Sequence, residues 1–463
     1  MAGIGFKIEK LLKKNTYTGL FQAGLYSTFI GVGPWLFSIV TIFCLSYFNP
    51  PNISEYEIQY FRVTIIYVFC FSLIVVGIFY LSVSRYVADQ LYLKKDENLL
   101  PIFNSVTLLV LSIQAVTGWI LFSHASKDPV TVLLSIMIYM SVSMIWVVMV
   151  FLSVLSNYVA IAIGYGIGSV VAIFGGLVLG RFYGLNGYLG GYFIGQFIIV
   201  FMLAARFYIE FTSRYMFDKD VFWFILYNPR LVLAGVFYNT AIWIDKIVFW
   251  MSPRAEYVAP VLRSYPIYEV ATFYAFMTIC PSVVVFLVVV ETRFFNKFKY
   301  FYANVVNKGT FTEVRQAKKV MLGAMIEMIG TMVKIQGVVT VLAVTFVPLI
   351  TQVLRIESKA IPVFQVTCLG VFVHSMLLTT IVGTLYFDQK TLAVLISLVF
   401  CVTNGVFTWI TVYMPVEFTG YGYFFSAMVS LIFAFYVLDH KMRRLEYITF
   451  ALQPVTVPSD PDA

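Results

Sequence analysis

Residues 129–154 read PVTVLLSIMIYMSVSMIWVVMVFLSV, a run without one charged side chain. At 1.5 Å of rise per residue such a helix is about 39 Å long, more than the roughly 30 Å of hydrocarbon it must cross. Nothing in the run alternates as a half-buried strand would, and no Gly or Asn interrupts it. Eleven further stretches read the same way, near 20–48, 62–83, 101–123, 158–180, 187–209, 231–252, 265–290, 332–353, 361–387, 391–413 and 418–438. The chain is therefore expected to be an all-α integral membrane protein of about twelve spans.

Composition agrees. With 60% hydrophobic and 12% charged residues, the chain lacks the roughly one-quarter charged fraction of a soluble domain. The basic residues collect in alternate gaps. If the N-terminus is cytoplasmic, 22 of the 31 Lys and Arg fall inside, 7 outside and 2, Lys246 and Lys334, within spans. The positive-inside rule then places both termini in the cytoplasm, and the net charge of +8 follows from topology without nucleic-acid binding. Cys44, Cys70, Cys280, Cys368 and Cys401 all lie in apolar spans, so no disulfide framework is implied. The first 18 residues hold four lysines and no apolar core, and the first span is expected to act as signal anchor. Asn52-Ile53-Ser54 matches a glycosylation sequon, a three-letter string common by chance.

These boundaries divide the chain into an amphipathic segment 1–18, a six-helix bundle 19–209, a linker 210–230, a second bundle 231–438 containing a 291–331 loop, and a tail 439–463. Both long gaps are too short for a soluble enzyme domain. Six spans on each side of 210–230 suggest duplicated halves around a central cavity, as in several transporter folds. In 1–18, Ile4, Ile8, Leu11 and Leu12 face away from Lys7, Lys10, Lys13 and Lys14, a pattern suited to lying on anionic lipid. The four-residue spacing of Gly164, Gly168, Gly176, Gly180, Gly187, Gly191 and Gly195 favours close packing of spans five and six over a bare-backbone substrate path. Pro34, Pro266, Pro281 and Pro348 are candidate kinks.

Chemistry is sparse. No Gly-x-x-x-x-Gly-Lys-Ser/Thr string is present, so ATP bound to this chain is not the energy source. His124, His374 and His440 are scattered and form no metal-ligand spacing. No catalytic residue, metal site or cofactor is expected. The strongest signal is intramembrane charge, which costs about 2.5–3.5 kcal/mol near a helix centre and faces protein or water. Tyr238-Asn239-Thr240-Ala241-Ile242-Trp243-Ile244-Asp245-Lys246 is the most polar run within a span. Glu269 lies at similar depth on the next, antiparallel span. The expectation is a Lys246–Glu269 ion pair that leaves Asp245 facing a cavity lined by Tyr238, Asn239, Trp243, Tyr268 and Tyr274, whose rings and polar groups suit the two sides of a sugar. The bland alternative is that all three charges sit near the interface and snorkel. Lone polar residues such as His374, Gln196 and Asn404 are read as interhelical hydrogen-bond partners. Lys10, Lys13, Lys14, Arg85, Asp89 and Arg293 are expected to form a polar rim, mostly basic, at the cytoplasmic entrance.

The opening Met1-Ala2-Gly3-Ile4-Gly5-Phe6-Lys7-Ile8-Glu9-Lys10-Leu11-Leu12, with Tyr17-Thr18-Gly19-Leu20, Gly33-Pro34-Trp35-Leu36, Ser84-Arg85-Tyr86-Val87-Ala88-Asp89 and Glu291-Thr292-Arg293-Phe294-Phe295, resembles the Pel exopolysaccharide transporter family. The resemblance implies membership of the multidrug/oligosaccharidyl-lipid/polysaccharide flippase superfamily, two six-helix bundles around an alternating cavity, and a bacterial inner-membrane location. It further implies export of a nascent N-acetylhexosamine polymer, with a cytoplasmic glycosyltransferase and two inner-membrane scaffold proteins as partners. The rival readings are a flippase for lipid-linked oligosaccharide, a drug/cation antiporter, and a membrane scaffold that only recruits the glycosyltransferase.

Overall fold

A computed structural model describes residues 33–48, 50, 52–152, 158–290, 294–307, 309–354 and 357–450. Among these, ten helices are long and apolar enough to cross a membrane, and the chain is a multi-pass membrane protein. The first half contains α1 (Gly33–Tyr47), α2 (Glu55–Tyr92), α3 (Leu99–Phe122), α4 (Pro129–Leu152) and α5 (Tyr158–Glu210), followed by the short α6 (Asp220–Tyr227). The second half contains α7 (Pro229–Trp250), α8 (Pro266–Met277), α9 (Cys280–Val289), α10 (Phe295–Val306), α11 (Phe311–Thr345), α12 (Val347–Leu354), α13 (Ala360–Tyr386), α14 (Lys390–Val412), α15 (Tyr421–Arg443) and α16 (Leu445–Phe450). The described strands are β1 (Glu256–Tyr257) and β2 (Arg263–Ser264), one antiparallel hairpin between α7 and α8.

Local chemistry sets the boundaries. Ser54 accepts from Glu57 N–H while the Glu57 carboxylate accepts from Ser54 N–H at 2.9 Å, a capping box that starts α2. Thr310 and Glu313 start α11 in the same way. Both residues of the Asn52/Ser54 sequon thus have structural work, since Asn52 Nδ2 donates to the Arg181 carbonyl at 3.0 Å.

The fifth and sixth expected spans form one element, α5, that reverses at Gly184. This residue has φ 57° and ψ −134°, outside the helical region and open to glycine at little cost. The arms then lie backbone on backbone. A Cβ on Gly191 would fall 2.1 Å from Gly176 N, and one on Gly195 2.5 Å from the Gly168 carbonyl. These glycines serve packing. Glu57 accepts from Leu185 N–H at 3.2 Å just past the turn. Nearby, Asn186 donates to Asp128 Oδ2 at 2.5 Å; this amide, with the Val130 N–H and Thr131 hydroxyl, holds the Asp128 carboxyl below its usual range.

The prolines divide into starts and breaks. Pro266 stands in the first turn of α8, where a missing N–H costs nothing, so it is not the expected kink. The eighth span breaks between Met277 and Cys280, beside Pro281, and the ninth between α11 and α12, beside Pro348. Gln336 of α11 bridges the first break, accepting from Ser282 Oγ at 2.5 Å and donating to Thr278 Oγ1 at 3.5 Å. Those bonds tie side-chain hydroxyls on both sides of the break to the neighbouring helix.

Within each half the helices pack chiefly on one another: α2 on α4, α3 on α4 and α4 on α5, then α7 on α14, α13 on α15 and α8 on α13. The main contact between halves is α2 against α7. There a Cβ on Gly235 would sit 2.2 Å from the Gly77 carbonyl, so the helices cross at backbone distance. The Asn239 side chain covers Gly77 and donates to the Gly235 carbonyl at 2.9 Å.

Candidate functional site

The polar run on α7 forms the centre of the second half. Asp245 is fully buried and Lys246 is 8% exposed. Lys246 Nζ lies 3.2 Å from Asp245 Oδ2 and 3.3 Å from Oδ1. The Lys246 backbone N–H donates to Oδ1 at 2.8 Å, and Tyr268 of α8 donates its hydroxyl to Oδ2 at 2.7 Å. The ammonium is ringed by Trp243 at 5.2 Å, Phe276 at 5.4 Å and Tyr268 at 5.9 Å from the ring centroids. Such faces attract a desolvated cation by about 2 kcal/mol. Trp243 Nε1, buried at the same place, has no hydrogen-bond partner among the described residues.

The expected Lys246–Glu269 pair is corrected. Glu269 is held by three other donors: Trp250 Nε1 at 2.6 Å, Ser264 Oγ at 2.7 Å and Tyr265 N–H at 2.9 Å. Side-chain direction explains the exchange. A helical side chain leans toward the N-terminus of its helix, so Lys246 reaches back over Trp243, whereas Trp250, one turn further on, meets Glu269. Glu269 also occupies the first turn of α8, where unpaired N–H groups favour an anion. The expectation that Asp245 faces a cavity is corrected too, because its own neighbours enclose it on every side.

Tyr238 donates to, or accepts from, His374 Nε2 at 3.0 Å, and His374 Nδ1 meets the Tyr423 hydroxyl at 2.5 Å. This Tyr–His–Tyr chain joins α7, α13 and α15, and Phe276 lies edge-on to His374 with ring centroids 6.0 Å apart. In sequence His374 reads as a lone hydrogen-bonding group. Its partners lie 136 and 49 residues away, and no spacing could have joined them. Asn404 donates to the Ala241 carbonyl at 2.8 Å, an interhelical bond of the expected kind. Tyr274 meets Phe273 edge-on at 5.3 Å and gives the cluster no hydrogen bond.

Of the polar rim, Arg85 pairs with Asp89 at 3.2 Å and reaches Asp388 at 3.9 Å. Both contacts are exposed and of small energetic weight. Lys10, Lys13, Lys14 and Arg293 lie outside the described residues. An apolar crevice of about 10 Å³ lies between α9, α11 and α13, lined by Phe286, Met325, Met328, Thr379 and Tyr386. That is room for about one water.

The profile of the PelG family, described as exopolysaccharide exporters (EPS-E), matches residues 1–450. No curated protein matches the sequence. Among solved structures, an inward-facing multidrug-resistance MATE transporter of the MOP superfamily superposes with a TM-score of 0.65 at 12% identity, covering 89% of this chain and 95% of that one. A MATE structure in the bent conformation gives 0.62 at 10% identity, covering 97% and 99%. A MOP superfamily transporter from Pyrococcus furiosus gives 0.62 at 11% identity, covering 91% and 94%. At these identities the likeness is one of fold, and the fold is MATE-like.

Proposed function

This chain belongs to the PelG family of exopolysaccharide exporters, and from that premise we propose that it carries a growing, neutral N-acetylhexosamine polymer of the Pel type from cytoplasm to periplasm. The family match along nearly the whole chain carries this reading. The physical need is a wet or hydrogen-bonding path, because each unpaired sugar hydroxyl in hydrocarbon costs several kcal/mol. Alternating access between the two halves, or passage driven by the synthase, would both meet it.

The proposed setting is a bacterial inner membrane with both termini and the 210–230 and 291–331 segments cytoplasmic, and the β-hairpin periplasmic. A cytoplasmic glycosyltransferase and inner-membrane scaffold proteins are the proposed partners. The rim around Arg85, with Lys10, Lys13, Lys14 and Arg293, is proposed to hold anionic lipid or dock the synthase. A cysteine at Tyr300, 52% exposed on α10, tests the orientation, since labelling by an impermeant reagent from the periplasmic side would reverse it.

The decisive experiment reconstitutes the protein with its synthase in vesicles, supplies nucleotide sugar on the cytoplasmic face, and asks whether the polymer becomes protected from an added hexosaminidase. Protection that needs both proteins supports polymer export. Polymer that stays digestible, or flipping of lipid-linked oligosaccharide without the synthase, would replace this reading with the rival one.

A further inference from the structure

The Asp245 carboxylate is already saturated. Two carboxylate oxygens offer about four acceptor positions, and Asp245 receives four contacts: Lys246 N–H and Tyr268 Oη at 2.8 and 2.7 Å, and Lys246 Nζ on each oxygen at 3.3 and 3.2 Å. The charge that neutralises it belongs to the adjacent residue. The ammonium turns its other side to the rings of Trp243, Tyr268 and Phe276, and the Lys246 side chain as a whole is only 10% exposed.

We infer that Lys246 is a built-in cation for the second half of this transporter, occupying the position that an exchangeable sodium ion or proton would take on Asp245. The carboxylate is thereby withdrawn from ion coupling. A free intramembrane carboxylate would be a ready cation site, since an uncompensated charge there is costly. A tethered ammonium removes the cost permanently and cannot be released to either side of the membrane. The inference rests on this chain's being a membrane transporter and is independent of what it carries.

Removing the tether should create the ion dependence that the native protein lacks. Other titratable groups in electrostatic reach of the pair are Cys70 on α2, Tyr268 and the Glu269 carboxyl on α8, His374 on α13 and Tyr423 on α15, with Tyr238 beyond them on His374. A neutral-pair control that keeps all of them separates their contribution. Purified full-length protein is melted in detergent between pH 6 and 8.5, in sodium or N-methylglucamine chloride at fixed ionic strength. Lys246→Met should gain about 2–4 °C on adding sodium or on acidification, relative to Lys246→Met/Asp245→Asn. Wild type and Lys246→Arg should show no such gain. If Lys246→Met cannot be extracted, Lys246→Gln, whose amide can still donate to Asp245, carries the same comparison. A wild-type response equal to that of the Met or Gln variant would overturn the inference, as would identical responses of the single and double variants.

Discussion

Tyr67 and Trp250 lie ring on ring, their centroids 4.3 Å apart and their planes 21° from parallel. The Tyr67 hydroxyl also accepts from Arg263 N–H at 3.0 Å and donates to the Arg263 carbonyl at 3.2 Å. Beside it Val258, Ala259 and Leu262 are buried in the core built by α2, α4 and α5, and Tyr56 donates to the Val258 carbonyl at 3.0 Å. The β-hairpin belongs to the second half by sequence and packs also on the first, so it latches the two halves together at one end of the molecule.

Tyr67→Phe should keep the stacked ring but lose both hydrogen bonds, each worth about 1 kcal/mol. The detached state of the hairpin should then be populated roughly thirtyfold more, since about 1.4 kcal/mol is tenfold. A cysteine at Val258, 5% exposed in the closed arrangement, reports this as faster labelling by an impermeant maleimide in a background without the five native cysteines. Equal labelling rates in the two proteins would remove the latch role from the Tyr67 hydroxyl.

Lys246→Met leaves a buried carboxylate without its partner, a loss of about 3–5 kcal/mol. The yield of folded, detergent-extracted protein should fall sharply and recover in part when Asp245→Asn is added. Adding Glu269→Gln should lower it further, because Glu269 has its own three donors. Recovery by Glu269→Gln in place of Asp245→Asn would reinstate the pairing expected from sequence.

Gly191 and Gly190 offer a matched pair of substitutions. A methyl at 191 meets the Gly176 backbone, whereas one at 190 meets nothing within 4 Å. Gly191→Ala should cost about 1–3 kcal/mol or more, since backbone cannot step aside as a side chain does. Gly190→Ala should leave thermal stability nearly unchanged. Similar melting temperatures for the two would show that the arms of α5 are not in backbone contact.

Lys318 donates to Glu446 at 2.5 Å and to the Arg443 carbonyl at 3.3 Å, clasping the start of α16 to α11. Burial pushes the Glu446 carboxyl up, but the Lys318 bond and charge outweigh it and the group lies below its ordinary value. A depressed carboxylate stabilises above its unfolded pKa, about 4.3, and the benefit is lost as pH falls through the folded value. The clasp should therefore be indifferent to pH between 6 and 8 and open only in acid. Glu446→Gln should mimic the acid state at pH 7, giving faster tryptic cleavage after Arg443 and Arg444; unchanged cleavage would count against it.

Most of the helix inventory was legible because hydrocarbon leaves few alternatives: a span must be long, apolar and internally hydrogen-bonded. The helices Pro129–Leu152 and Lys390–Val412 needed no tertiary information. The helices within spans eight and nine were harder to place, since Pro266 looks like Pro281 in sequence but opens a helix instead of breaking one. Asp245 and Lys246 were recognisable as unusual from their depth alone. Their pairing was not, because adjacency in sequence places their Cα–Cβ bonds about 100° apart, and only the Lys246 stem, folding back over Trp243, brings the charges together. The hairpin latch had no sequence signal, as its partners Tyr56 and Tyr67 lie 202 and 196 residues from the carbonyls they bond.

Helix α8 touches both of these arrangements. Its first turn carries Glu269, which holds Ser264, Tyr265 and Trp250 at the hairpin, and also Tyr268, which with Phe276 two turns on closes around Asp245 and Lys246. Past Met277 the chain breaks before α9. A twelve-residue rod is thus fastened near its start to the hairpin and packed against the internal charge pair, and it ends at the break before α9. The hairpin and the buried charge pair thus share one short helix as their support, so a substitution in α8 that disturbs either should be felt at both.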